Sequence, residues 1–165
     1  MITCMLSRLF GEPEEINGRN RCPTYLYRWF LIRTRWFKVY LHKFVADDWS
    51  LDLHDHPKRF ISIGLKGSYI EYTPDCSVVG LGEKFEIFNA PWVRSFPAEH
   101  IHRITMVRSG GANGVPEKIH ACWTLCIVLR GSREWGFWHL GEFIPWLKYV
   151  QGHAGIADKM KACSE

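Results

Sequence analysis

The sequence predicts an all-β fold on three observations. Short segments with two-fold alternation of apolar and polar residues recur along the chain, glycines punctuate them, and aromatic and β-branched residues dominate them. Many short strands closed by Gly-rich turns make a sandwich or barrel and not an α/β layer. With 165 residues the chain has the size of one ordinary domain, long enough to build a core without metals or disulfides. Eight Trp, ten Phe and six Tyr exclude a chain that never collapses.

The elements follow in order. Residues 11–24 (GEPEEINGRNRCPT) are polar and turn-rich and read as loop, so residues 1–24 are taken as a loop-rich arm. From Tyr25 to Val45 the pattern is two-fold and aromatic, which predicts two strands joined near Arg33–Arg35. Further strands are predicted over Phe60–Leu65, Ser68–Tyr72, Lys84–Phe88, His102–Val107, Trp123–Leu129 and Glu134–His139. Trp123, Trp135, Phe137 and Trp138 read as core and wall residues, since Trp at strand spacing is more often packing than a ligand platform. The segment Phe143 to Tyr149 is apolar, and Ile156 to Ala162 has the make-up of a short terminal helix. Residues 25–150 are therefore taken as the barrel and residues 151–165 as a helical or irregular tail.

Charge and cysteine usage bound the function. The net charge is +4, and residues 1–43 hold eight Lys or Arg against three Glu. Those cations alternate with apolar residues, which reads as a solvated strand face; nucleic acid is disfavoured as a partner. No run of about 18 apolar residues exists, so no membrane span is expected. The six cysteines form no CxxC pair, and Cys122 and Cys126 share one face of an apolar strand. Met1 to Phe10 lacks the apolar stretch of a signal peptide, and a reduced, cytoplasmic protein is expected.

The chemistry concentrates in Leu53-His54-Asp55-His56-Pro57. Residues i and i+2 of a strand point to one face, so His54 and His56 can grip one ion. Imidazole suits Zn, Fe, Ni and Cu. A lone HxH is weak, but a second pair, His100 and His102, follows 46 residues later in PAEHIHRI, at the mouth of another strand. Two strands presenting imidazoles inward are how a small barrel builds a metal site. The competing reading makes His100 or His102 a polar rim residue.

At these residues the sequence resembles the cupins. His54 and His56 match the HxH of the first cupin motif, and Gly67 its closing glycine, while Phe60 occupies the place of the motif glutamate. Pro97 and His102 match the second motif, with Glu99 and Met106 replacing its Gly and Asn. Asp48 and Pro91 stand where the opening glycines of the two motifs would be. The stretch from about residue 27 to 150 is similar to small bacterial and phage cupins without an assigned reaction. The resemblance implies an all-β, single-domain jelly-roll barrel with a metal site at His54, His56 and His102.

Losing the motif glutamate leaves three neutral ligands, and so resembles the three-His iron dioxygenases, in which an anionic substrate chelates the metal. It implies a divalent metal, Fe(II) first, with Zn, Ni or Mn as alternatives. The expected function is a small-molecule metalloenzyme of that type; the alternative is a non-catalytic cupin that binds a small ligand or holds a structural metal. Glu71, with Tyr69 two residues before it on the same strand face, is the candidate catalytic pair. Glu71 and Glu99 are each open as general base, fourth ligand or orienter of an imidazole, against a plain salt bridge or solvated charge. His100 is a further candidate ligand, and Phe60 and Trp123 are candidate pocket walls. The expected partner is a small-molecule ligand or substrate. A homodimer by strand exchange would suit the aromatic N-terminal strands.

Overall fold

A computed structural model describes residues 6–7, 9–17, 23–77, 82–111 and 116–152. Its strands are β1 (Glu14–Asn17), β2 (Thr24–Arg33), β3 (Phe37–Phe44), β4 (Leu53–His54), β5 (Phe60–Lys66), β6 (Ser68–Pro74), β7 (Glu83–Asn89), β8 (Trp92–Phe96), β9 (Arg103–Met106), β10 (Arg108–Ser109), β11 (Lys118–Ile119), β12 (Cys122–Leu129), β13 (Gly136–His139) and β14 (Glu142–Pro145). One short helix, α1 (Trp146–Val150), follows. Among the described residues no helix is long and apolar enough to cross a membrane.

The first sheet has the order β1-β2-β3-β12-β5-β8, antiparallel throughout. The second is built from two three-stranded pieces, β7-β6-β9 and β14-β13-β4. An isolated antiparallel bridge between His54 and His102 joins them, with His54 N–H donating to the His102 carbonyl at 2.8 Å and the reverse bond at 2.9 Å. Two sequence-distant sheets face each other, and the joint of the second one carries the histidines.

Alternation decides which residues fill the space between the sheets. Cys122, Thr124 and Cys126 of β12 are buried, as are Ser62 and Gly64 beside them on β5. A buried cluster draws Tyr69, Ile104 and Met106 from the second sheet and Cys122 from the first, with Phe44, Phe88 and Trp92 packed around it. Burying such side chains contributes about 1.5–3 kcal/mol each, so this layer dominates the stability of the fold. A second cluster, Phe137 and Tyr149 with Trp49, Trp135 and Ile144, seats α1 on β13. There the Tyr149 hydroxyl lies 2.7 Å from Asp52 Oδ2 and 2.6 Å from Ser50 Oγ, which satisfies three buried polar groups at once.

Several expectations need correction. Residues 11–24 are not all loop, because Glu14–Asn17 pairs with β2 and Glu14 holds Arg28 at 2.8 Å. Four residues are too few for alternation to show. With β1 on one side and β3 on the other, β2 is an inner strand of the first sheet. The strand expected from Glu134 begins at Gly136, since Arg133 is held instead by a bond from its N–H to the Pro57 carbonyl. The strand β8 was not foreseen. The apolar segment at 143–149 becomes the end of β14 and α1, so helix appears before residue 151, while the helix expected over 156–162 lies outside the described residues. Gly67 turns the chain from β5 to β6 at φ +85°, where a Cβ would meet the Ala121 carbonyl.

Candidate metal centre

β4 ends at His54 and β9 begins just after His102, and the bridge between these two residues brings His54, His56 and His102 together. The ring centroids of His54 and His56 are 5.2 Å apart, those of His54 and His102 5.1 Å, and those of His56 and His102 4.9 Å. One ring nitrogen from each lies within 4.8 Å of the others. His102 is 4 % exposed. Burial, followed by the neighbouring histidines, lowers His54 to about 3 and takes His56 well below its ordinary value. Burial also lowers His102, against the pull of Glu71. All three rings are therefore neutral near pH 7, the state in which imidazole has a lone pair for a metal.

The spacing fits an ion. His56 Nε2 and His102 Nε2 are 2.8 Å apart. Two imidazoles bound at right angles with bonds of about 2.1 Å would bring their nitrogens to about 3.0 Å. With no ion, the same contact is a hydrogen bond between the rings. The other nitrogen of His102 settles its tautomer: Nδ1–H donates to Glu71 Oε1 at 2.6 Å, so Nε2 presents its lone pair to the cluster.

Glu71 therefore stands behind His102 rather than among the ligand atoms that face His56. It is 2 % exposed, accepts from His100 Nε2 at 3.0 Å, and pairs with Arg94 Nη1 at 2.6 Å through Oε2. Burial pushes its carboxyl up, but the bonds from His100, His102 and Arg94 outweigh that and hold it well below the usual range. A rim salt bridge or a solvated charge does not describe it. Glu71, His100 and His102 also bring one donor atom each within 4.8 Å. The 2.6 Å contact to His102 and the Arg94 cation on the same carboxylate make this group a hydrogen-bond network rather than a second ion site. Tyr69 shares the face, and its hydroxyl accepts from Arg94 Nη1 at 3.1 Å; burial, then Glu71, raises its pKa.

The other named residues separate. Phe60 lies edge-on to His56 at 4.7 Å and stacks on Phe96 at 4.8 Å, which sets an apolar wall beside the cluster. Phe96 in turn lies 4.8 Å from His100. Glu99 is turned to solvent, 70 % exposed, with Arg133 Nε at 3.8 Å, and does not reach the cluster. Trp123 is corrected as a pocket wall. On β12 it has the opposite parity to Thr124 and Cys126, and it stacks on Trp29 of the far face at 5.7 Å.

Sequence reading missed Arg94 and gave Asp48 no chemistry. Arg94 sits on unforeseen β8, sandwiched between Phe88 and Phe96 at 3.6 and 4.5 Å from the ring centroids. Asp48 accepts from the Ile104 N–H at 2.7 Å and lies 3.9 Å from His54 Nδ1; burial pushes its carboxyl up to about 7. No local pattern points to either, because the groups they bind, Glu71 for Arg94 and the Ile104 N–H for Asp48, are tens of residues away in the chain.

The chain matches no protein-family model and no curated protein. Solved structures do match it. The polyketide cyclase RemF from Streptomyces resistomycificus is 15% identical, with a TM-score of 0.51 covering 89% of this chain and 93% of that one. A cupin-2 domain protein from Shewanella frigidimarina is 12% identical, at a TM-score of 0.43 over 62% of this chain and 79% of that one. A Klebsiella pneumoniae protein with a double-stranded β-helix domain is 12% identical, at a TM-score of 0.45 over 77% and 80%. The fold shared with RemF is all-β, with a short helix, α1, toward its C-terminal end. Such likeness shows the fold, and the function has to come from the site.

Proposed function

We propose that this chain is a metal-binding cupin acting on a small molecule, of the three-His mononuclear non-haem iron type. The observation that carries the reading is three neutral imidazoles, His102 buried and His54 and His56 half-buried, converging from two chain segments with no carboxylate among them. A divalent ion held by His54, His56 and His102 would supply a Lewis acid and, as Fe(II), a centre for O2 chemistry; Zn, Ni and Mn suit the same nitrogens.

The rest is the work of the chain itself. Glu71 fixes the His102 ring and its proton on Nδ1, and Arg94 cancels the Glu71 charge, so the bound ion keeps most of its own. A site of that charge favours an anionic ligand. Phe60 and Phe96 exclude water on one side. Tyr69, held protonated by burial, supplies a hydroxyl beside Arg94.

Metal analysis of the purified protein tests this. The expected result is one divalent ion per chain, lost in His54→Ala and in His102→Ala. A cobalt-loaded sample should change its visible spectrum with added azide, reporting an exchangeable position. Loading without that response would favour the second reading, a structural metal in a ligand-binding barrel. Wild-type protein that retains no ion from iron, zinc, nickel or manganese overturns the metal reading altogether.

A further inference from the structure

The residue between the two ligands, Asp55, takes no part in the metal reading, yet it is among the most deeply buried side chains, 2 % exposed. β4 ends at His54, and the Asp55 carboxylate is taken up by groups outside the histidine cluster. Its Oδ2 meets Arg133 Nη1 at 2.6 Å and its Oδ1 accepts from the Gly136 N–H at 2.8 Å. Its own N–H donates to the Gly136 carbonyl at 3.1 Å. Arg133 then reaches two more points of the same segment. Its Nη1 lies 3.3 Å from the His56 carbonyl, and its backbone N–H donates to the Pro57 carbonyl at 3.1 Å.

The consequence is a ligand-bearing segment held on every side. His54 is bound to His102 through both backbone groups, and His56 N–H donates to the Ala98 carbonyl at 2.9 Å. The Asp55–Arg133 pair closes the remaining side by clasping 55–57 to the approach of β13. Gly136 completes the fit, since a Cβ there would strike the Ile144 carbonyl. A buried carboxylate is a poor way to gain stability alone, because desolvation offsets much of the ion-pair energy. What such a pair supplies is geometry.

We infer that Asp55 and Arg133 are positioning residues that set the His54–His56 pair for metal binding. The inference rests on the metal reading above and extends it to two residues outside the ligand set. The test is Co(II) affinity and the Co(II) visible spectrum, measured on wild type, Asp55→Asn, Arg133→Gln and the double variant. A core variant remote from the site, Val39→Ala, serves as the stability control. Loss of such orienting partners costs about 10–100-fold in metal affinity. The expected result is a loss of about tenfold or more in each single variant, a shifted cobalt band, and a double variant no worse than either single, because the two act as one unit. Val39→Ala should lower the melting temperature while leaving affinity and band unchanged. If Asp55→Asn fails to fold, Arg133→Gln decides, its side chain being one-third exposed with room for the amide. Wild-type affinity in the folded variants, or affinity that merely follows melting temperature as in Val39→Ala, overturns the inference. Failure of wild type itself to bind cobalt would instead refute the metal reading.

Discussion

Glu71→Gln is the sharpest probe of the network behind His102. The carboxylate takes three charge-assisted contacts, from His102 at 2.6 Å, His100 at 3.0 Å and Arg94 at 2.6 Å, at 2 % exposure. An amide keeps the shape but can accept through one oxygen only. Its NH2 must face either Arg94 or the imidazole N–H groups, donor against donor. Breaking one side of a buried ion pair costs about 3–5 kcal/mol. The Arg94 side chain is 23% exposed and can recover water, so a smaller cost, about 2–3 kcal/mol, is expected. At this chain length that corresponds to about 5–10 °C in melting temperature. Metal affinity should fall about 10–100-fold in parallel, since His102 loses the acceptor that fixes its tautomer. Urea unfolding of metal-free protein gives the first number and a zinc competition titration the second. A variant that melts within a degree of wild type and binds zinc equally would refute the account of Glu71 as the orienting group.

Three further outcomes follow from other parts of the molecule. His42 lies in the interior with its Nε2 unpartnered, and burial, then Arg28, lowers it to about 3. The unfolded chain takes that proton near pH 6.5, so stability from this group is present above that pH and lost as pH falls toward 3. Wild type should lose about 2–3 kcal/mol more than His42→Gln between pH 6 and 4 in urea titrations, and equal losses would contradict it. Cys122 and Cys126 are buried, with thiols pushed up to about 12, while Cys76 is exposed. Brief iodoacetamide treatment at pH 8, read by peptide mass spectrometry, should label Cys76 and spare the other two; rapid labelling of Cys126 would contradict the burial. Gly67→Ala should cost about 2 kcal/mol or more by thermal unfolding, from positive φ and the clash with Ala121, and a neutral effect would contradict that turn geometry.

The sequence by itself determined the features whose cause is local. Alternation in β5, β6 and β12 is set by burial of one face of each strand, so it can be read without knowing the partner strand. The HxH spacing likewise lets His54 and His56 share a face where the segment is extended. What only the tertiary structure decided depends on pairs far apart in the chain. The bridge from His54 to His102, the seat of Glu71 behind His102, the Arg94 cation and the clasp of Asp55 by Arg133 all join segments tens of residues apart. Parity along one strand could not say that Trp123 faces Trp29, nor composition that Glu99 turns to solvent. Strand period is a property of neighbouring residues, whereas the protonation and orientation of a ligand depend on what packs behind it. For that reason the candidate metal ligands could be named from the sequence, and the groups packed behind them could not.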